Sequence, residues 1–300
     1  MRAEHKTRCS VVIAWVNSFE LLEPVLVALA HQSTPAAEII VATRLAESDQ
    51  TRLSETFPAV RLIPAPSDTT IPVLRALGIR ASRGEVVLVT EDHCIPSAVW
   101  IARAAASIAN GNSIVGGPVE NIWPSRLRDS AAFLTEYSGV VRPAADGVRN
   151  VIPGNNVAYR RDVALEIAEC LNEGLWESFA LERISAHGHR VAFDRDMLVY
   201  HCRPFDFRYF VGQRFHFCRS WAGMSRRFIP RLARAARAAA SVLLPWVLLV
   251  RSWRNLAIRK RLTARFAVCA PLIFVYFCVG AAGEILGYAL GSGRSLMRVE

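Results

Sequence analysis

The chain has 300 residues and a formal net charge of +10, with 52% hydrophobic residues and a mean hydropathy of +0.23. That length holds one large domain or two small ones with a full hydrophobic core, and the hydropathy is high for a soluble enzyme, so an apolar part is added to an ordinary domain. The charge is localised: Ser225 to Arg265 carries eleven basic residues and no acid, and basic residues flanking apolar runs suit an anionic membrane surface rather than nucleic acid. Seven scattered cysteines without a CxxC pair argue against a zinc ribbon or a disulfide framework and for reduced thiols in the cytoplasm. The first ten residues, MRAEHKTRCS, contain no apolar signal-peptide core, so the main domain is expected on the side where it is made.

Short apolar runs alternate with helical patterns over the first 120 residues. CSVVIAW (9–15), EIIVA (38–42), VRLIP (60–64) and EVVLVT (85–90) read as strands. Between and after them, helices are predicted over 21–32, around 50–57, over 71–82 and over 97–110. The strand runs are continuous and β-branched, as in strands buried on both faces. Strand–helix alternation predicts a mainly parallel sheet with right-handed crossovers. Further on, SIVGGPVEN (113–121) predicts a strand ending in a Gly-Gly-Pro turn, 126–140 a helix, 151–159 a loop entering a strand or turn, and 161–172 and 176–189 helices. RVAFDRDMLVYH (190–201) predicts two short strands paired with each other, and 205–223 an aromatic, basic, amphipathic helix.

The stretch VTEDHCIP (89–96) places Glu91, Asp92, His93 and Cys94 where a strand runs out. In such sheets ligands bind beyond the carboxyl ends of the strands. Glu91 and His93 are candidate metal ligands there; the structural alternative is a polar turn that caps the next helix. Cys94 is expected to be buried packing. Late in the domain, His201 ends the run MLVYH.

These elements, in this order, resemble the inverting family 2 glycosyltransferases, which have a GT-A fold. The resemblance covers residues 9–221 approximately. It rests on SVVIAWVN with its following helix and Gln32, on EIIVA, on LRALGIRASRGEVVLVTEDHCIP, on PGNNVAYRR and on WESFALERISAHGHRVAF. It implies an α/β GT-A domain over 1–222, followed by basic juxtamembrane and membrane-anchoring helices over 223–300. It also implies transfer of a sugar from a nucleotide-sugar donor to a hydroxyl, with inversion and with Mn²⁺ or Mg²⁺.

Residue by residue, the family's Asp-x-Asp metal motif falls on Glu91 and His93, with Asp92 between them on the donor side. The imidazole would favour manganese. His201 would complete the metal or diphosphate site. Arg75 matches an arginine that could reach a donor phosphate. Asn155 and Asn156, after Gly154, would meet acceptor or donor hydroxyls. Glu177 is the expected general base, with Glu182 as the alternative, and Trp176 would pack on a sugar ring. The chain departs from the family after the second strand, where Thr43 and Arg44 replace an Asp pair that binds base and ribose. Glu47, Asp49 or Asp68 are possible substitutes. The implied partners are a nucleotide-sugar donor, a lipid-linked or envelope glycan acceptor and the membrane, with no nucleic acid; the implied place is the inner or plasma membrane, catalytic domain cytoplasmic.

Two other readings remain. A nucleotidyltransferase would want a Gly-rich basic loop after the first strand, which AWVNSFELLEP lacks. A non-catalytic membrane scaffold retaining the fold would be consistent with the missing Asp pair. In the C-terminal part, Ala238–Val250 is an uncharged run of thirteen residues, short of the ~20 needed to cross a bilayer. It is expected to lie in the interface, and Phe266–Gly283 to span; the rival is a two-span hairpin.

Overall fold

The structure is a computed structural model that describes residues 7–122, 126–144, 146–148, 152–186 and 188–299. Eleven strands and eleven α-helices occur among them. In chain order they are β1 (Cys9–Trp15), α1 (Phe19–Ala30), β2 (Glu38–Thr43), α2 (Glu47–Thr56), β3 (Arg61–Pro64), α3 (Ile71–Ala81), β4 (Val86–Glu91), β5 (Cys94–Pro96), α4 (Trp100–Ala109), β6 (Ile114–Gly116), β7 (Val119–Asn121) and α5 (Leu127–Tyr137). They continue with β8 (Gly147–Val148), β9 (Asn156–Arg160), α6 (Arg161–Asn172), α7 (Glu177–Ala186), β10 (Val191–Phe193), β11 (Val199–His201), α8 (Phe207–Ser225), α9 (Arg231–Ala240), α10 (Leu244–Ile258) and α11 (Thr263–Leu290). The chain forms two compact units, Met1–Glu120 with Ala144–Arg203, and Asn121–Pro143 with Pro204–Glu300.

The first unit is a mixed α/β structure whose sheet has the order β3-β2-β1-β4-β9-β6-β10-β8. β1 to β4 are parallel, and β9 enters antiparallel between β4 and β6. Every residue of β1 is buried, as are Val86 to Thr90 of β4, which is why these runs are apolar without alternation. The pleat sends alternate side chains of β1, β4 and β9 into the layer formed with α3, α6 and α7. Val12, Val87, Val89, Val157 and Tyr159 there meet Ile79, Ile167, Leu171 and Ile184. Each fully buried aliphatic side chain contributes about 1.5–3 kcal/mol, and Ile167→Ala would remove about 2–5 kcal/mol. The chain goes from β1 outward to β2 and β3, then returns across β1 to β4. The carboxyl ends of β1 and β4 therefore flank a topological switch point, the place where such sheets open a crevice.

Two segments differ from the sequence expectation. β10 and β11 do not pair with each other: β10 joins β6 and β8 of the main sheet, while β11 pairs antiparallel with β5. β5, β11 and β7 form a second, three-stranded sheet, so a strand occupies part of the turn expected after β4. The reason lies in Asp194. Its carboxylate accepts the backbone N–H groups of Asp196 and Met197 (2.8 and 3.2 Å) and bonds Arg103 of α4. That side-chain turn redirects the chain between the sheets.

The second unit contains α5 and α8 to α11. Asp206 caps α8, accepting from the N–H groups of Arg208 and Tyr209 at 2.9 and 3.2 Å, as an Asp N-cap does. α9 runs through a 3₁₀ turn (Ser241–Leu243) into α10, with Pro245 in the first turn, where its missing N–H is harmless. Arg231–Ile258 and Thr263–Leu290 are each 28 residues and apolar enough to cross a membrane by length and composition. The two runs are antiparallel, since Ser241 meets Glu284, Trp246 meets Phe274 and Trp253 meets Phe266. The sequence reading placed α8 with the transferase part; here it packs along α11. Gly283 permits that approach, because a Cβ on it would lie 2.5 Å from the Phe215 carbonyl oxygen.

Candidate active site

At the carboxyl end of β4 the chain turns sharply into β5, carrying Glu91, Asp92 and His93 across the end of β1. Asp92 is fully buried. Its Oδ2 accepts the backbone N–H groups of Val16 and Asn17, both at 2.8 Å, and Asn17 Nδ2 donates to Oδ1 at 2.8 Å. His93 Nδ1 lies 2.7 Å from the same Oδ1. Burial opposes ionisation of Asp92, but the His93 hydrogen bond and charge, with Asn17 and the Val16 N–H, hold its carboxyl below the usual range. Asp92 thus ties the ends of β1 and β4 together and fixes the His93 ring, its oxygens engaged by the protein.

With Nδ1–H given to Asp92, His93 presents Nε2 on the other side, 3.3 Å from Glu91 Oε2. This is the arrangement of a carboxylate-oriented metal-binding imidazole beside a second ligand. Burial pushes His93 down, and the Asp92 bond with the Glu91 and Asp92 charges more than reverses that. Among the described residues, the ligand atoms of Glu91, His93 and Cys94 lie within 4.8 Å of one another. Burial, then Glu91, hold the Cys94 thiol well above its ordinary range, so it stays a thiol and fits a hard cation poorly. The oxygen of Glu91 and the nitrogen of His93 fit Mn²⁺ or Mg²⁺.

His201, paired with Cys94 through β11 and β5, sets its ring edge-on to His93 with centroids 4.7 Å apart. Burial, with His93 and Arg203 nearby, pushes His201 well below its ordinary value, leaving a neutral imidazole. Arg203, two residues on, donates from Nη1 to Asn17 Oδ1. Sequence reading singled out neither Arg203 nor Asn17 as functional. Their position in register with His201 and at the end of β1 was the available signal.

Arg75 projects from α3 into the same end of the sheet and is 3% exposed. Its Nη2 donates to Glu91 Oε1 at 2.6 Å, and its Nη1 donates to Glu177 Oε1. One buried guanidinium thereby joins the metal-ligand candidate on β4 to the carboxylate that starts α7. Burial works against the charged form of Arg75, but Glu177 and Glu91 raise its pKa above the usual guanidinium range. Its Nε has no partner among the described residues. Burial, then Glu177, likewise push the Tyr159 phenol up. Gly154 crosses above the pair. A Cβ there would lie 3.2 Å from Arg75 Nη1 and 3.5 Å from Glu177 Oε2, so a side chain at 154 would crowd the guanidinium.

The remaining predicted residues divide. Asn155 donates from Nδ2 to Cys94 Sγ at 3.4 Å, and its carbonyl accepts from Thr90 Oγ1 at 2.9 Å. Asn156 is fully buried; it accepts from Trp100 Nε1 at 2.8 Å and donates to the carbonyls of Pro118 and Met197 at 2.9 and 2.8 Å. That amide locks strands together. Trp176 is buried beside Glu177. At the end of β2, Thr43 Oγ1 donates to the Trp15 carbonyl at 2.8 Å and Arg44 Nη1 to the Thr69 carbonyl at 2.8 Å. Glu47 and Asp49 fall in the first turn of α2, and Asp68 is exposed. The side chain of Glu182 lies outside the described residues.

No protein-family model matches this chain. No curated protein matches it either. Among solved structures it is similar to the mannosyltransferase PcManGT from Pyrobaculum calidifontis in complex with GDP-Man and Mn²⁺, with a TM-score of 0.58 and 16% identity over 94% of this chain and 88% of that one. It is also similar to GalNAc-T7 with UDP, GalNAc and Mn²⁺, with a TM-score of 0.52 and 15% identity over 68% of this chain. The match spans 45% of GalNAc-T7. At these identities the likeness is one of fold, and the fold is GT-A: a mainly parallel central sheet flanked by helices, here with two apolar C-terminal helices.

Proposed function

We propose that this chain is a membrane-associated glycosyltransferase of the inverting family 2 kind. It moves a sugar from a nucleotide-sugar donor to a hydroxyl of an amphiphilic acceptor, a lipid-linked or envelope glycan, at the cytoplasmic face of a membrane. The observation that carries this reading is the single buried guanidinium of Arg75 held by both Glu91 and Glu177. It unites a divalent-ion site and a proton acceptor, 86 positions apart in sequence, at the sheet's switch point. The GT-A neighbours, solved with nucleotides or nucleotide sugars and Mn²⁺, support the donor class and the divalent metal.

Glu91 and His93 would hold Mn²⁺ or Mg²⁺, which offsets charge on the departing diphosphate. Asp92 keeps His93 in the tautomer that offers Nε2. His201 stands neutral beside it as a further donor atom. Arg203 adds positive charge on the same side. Glu177, aimed by Arg75 through Oε1, keeps Oε2 for the acceptor. The acceptor hydroxyl gives its proton to Glu177 while its oxygen attacks the anomeric carbon. The bond from that carbon to the donor phosphate breaks, and the nucleoside diphosphate leaves. Asn155 and Trp176, as buried as Glu177 itself, would meet the acceptor only by the edges they expose.

Glu177→Gln keeps shape and removes basicity. The expected result is a loss of about 10²-fold or more in kcat with donor binding preserved. If Glu182→Gln abolishes turnover instead and Glu177→Gln does not, the base must be reassigned. The scaffold reading draws on one observation, the engagement of the Thr43 hydroxyl by the protein where the family places an acidic pair. It predicts that no nucleotide sugar is turned over by the purified chain with Mn²⁺.

A further inference from the structure

The two 28-residue helical runs of the second unit, about 42 Å long at 1.5 Å per residue, exceed the ~30 Å hydrocarbon core of a bilayer. Their packing argues against using that length to cross it. α11 is accompanied over its whole course by polar helices. α5 meets its first turns, with Arg265 Nε donating to Ser130 Oγ at 3.0 Å and Cys269 bonded to the Leu127 carbonyl. α8 meets the rest: Tyr276 meets Phe210 edge to face with centroids 4.6 Å apart, Gly280 faces Cys218, and Arg219 Nε donates to the Gly291 carbonyl at 3.3 Å. α5 carries Arg128, Asp129 and Glu136; α8 carries Arg208, Arg214, His216 and Arg219. Arg214 and Glu136 lie 3.6 Å apart. A spanning α11 would carry these charges through the hydrocarbon, where each is costly.

The turn end of the hairpin is also tied down. Arg259 Nη2 donates to the Gly139 carbonyl at 2.6 Å and Arg261 Nη1 to the Arg142 carbonyl at 2.8 Å. A turn on the far side of a bilayer would take residues 130–142 with it. Away from α5 and α8 the hairpin exposes apolar side chains, Trp246 and Trp253 beside their contacts with Phe274 and Phe266 of α11. Leu243, Trp246, Val250 and Trp253 follow at intervals of three, four and three, and are 63%, 61%, 58% and 43% exposed. Leu232, 84% exposed, falls on the same arc. Arginines border this stripe at both ends, Arg231, Arg234 and Arg237 before it and Arg251 and Arg254 within its last turns, with no acid from Ser225 to Arg265.

We propose that the α9–α10/α11 hairpin is an in-plane anchor for an anionic bilayer. Its tryptophan-containing stripe is immersed in one leaflet, its arginines lie at the headgroups, and neither 28-residue helix crosses. The aliphatic stripe supplies apolar burial, the tryptophans sit at headgroup level, and the arginines supply attraction to anionic lipid. This rests on the membrane attachment proposed above and on none of the transferase chemistry.

The test uses the full chain with Cys278→Ala, which removes the one exposed cysteine among the described residues. Single cysteines replace Leu232, Leu243, Val250 and, in the middle of α11, Val275 (42% exposed); they carry a nitroxide and are read for depth by power-saturation EPR on vesicles of phosphatidylcholine with 30% phosphatidylglycerol. The in-plane anchor predicts a uniform shallow depth at the four sites. It also predicts that Arg251→Gln and Arg254→Gln each weaken binding to these vesicles about five-fold and leave binding to pure phosphatidylcholine unchanged. A depth profile with a central maximum would overturn the proposal in favour of spanning helices. Labels shielded from both oxygen and nickel, together with a dimer in vesicle-free buffer, would overturn it in favour of a second copy on this face. Failure to bind either vesicle would overturn the membrane attachment itself.

Discussion

The two compact units solve opposite solvation problems. In the first, charges are inside: Arg75, Asp92, Glu177, His93 and His201 are all buried, and Arg75, Asp92, Glu177 and His93 meet an opposite charge or a fixed hydrogen-bond partner at the sheet's switch point. In the second, apolar side chains are outside, a stripe of leucine, valine and tryptophan bordered by arginine. A buried charge is tolerated when its partner is fixed, and an exposed apolar stripe when another surface covers it. The proposed function assigns the first arrangement to a charged ligand and the second to a boundary between water and lipid.

Substitutions sharpen this contrast. His93→Ala strikes the first unit at the proposed metal site, and should lower turnover by orders of magnitude while leaving the far-UV spectrum of the sheet unchanged; wild-type turnover would separate His93 from the site. Arg75→Met strips the shared partner from two carboxylates. Losing one member of a buried ion pair costs about 3–5 kcal/mol, read as a lower urea midpoint. Adding Glu177→Gln should recover part of that loss, and strict additivity of the two changes would contradict a direct pair. Asp92→Asn leaves Glu91 and His93 in place but releases the imidazole from its carboxylate. A weakening of Mn²⁺ affinity by about 10–100-fold is expected, measured by EPR titration with the metal alone. The smallest effect belongs to the second unit. Leu232→Ser and Val250→Ser should change unfolding free energy by less than about 0.5 kcal/mol while weakening vesicle binding. A large stability loss would place these side chains in a packed interface.

Much of the first unit was legible in the sequence. Continuous β-branched runs gave β1, β2 and β4 nearly to the residue, and strand–helix alternation gave their parallel direction, though not their order in the sheet. Glu91 and His93 stood out as ligating side chains paired at a strand end, where a polar turn was the alternative, and the structure brings the two together. The rest was hidden because it is settled by contacts between distant residues. Nothing local marks Asn156 as a clamp between strands, or Asp92 as the holder of β1's end; an isolated Asn or Asp reads equally well as a ligand contact. β10 and β11 looked like a hairpin because spacing alone cannot say which sheet a three-residue strand joins. The Arg75 link between Glu91 and Glu177 depends on α3 and α7 converging, which no local pattern encodes. In the second unit hydropathy reported apolar length, but the polar helices beside α11 come from sequence far from it.

The most direct test is thermal denaturation of the full chain with a panel of nucleotide sugars, with and without Mn²⁺, in the wild type and in Glu91→Ala. Ligand binding to the folded state raises the melting temperature by mass action. A site built on Glu91 and His93 predicts that at least one nucleotide sugar raises Tm only when Mn²⁺ is present, and that Glu91→Ala abolishes the rise. A rise that persists unchanged in Glu91→Ala, or no rise with any nucleotide sugar, would contradict it.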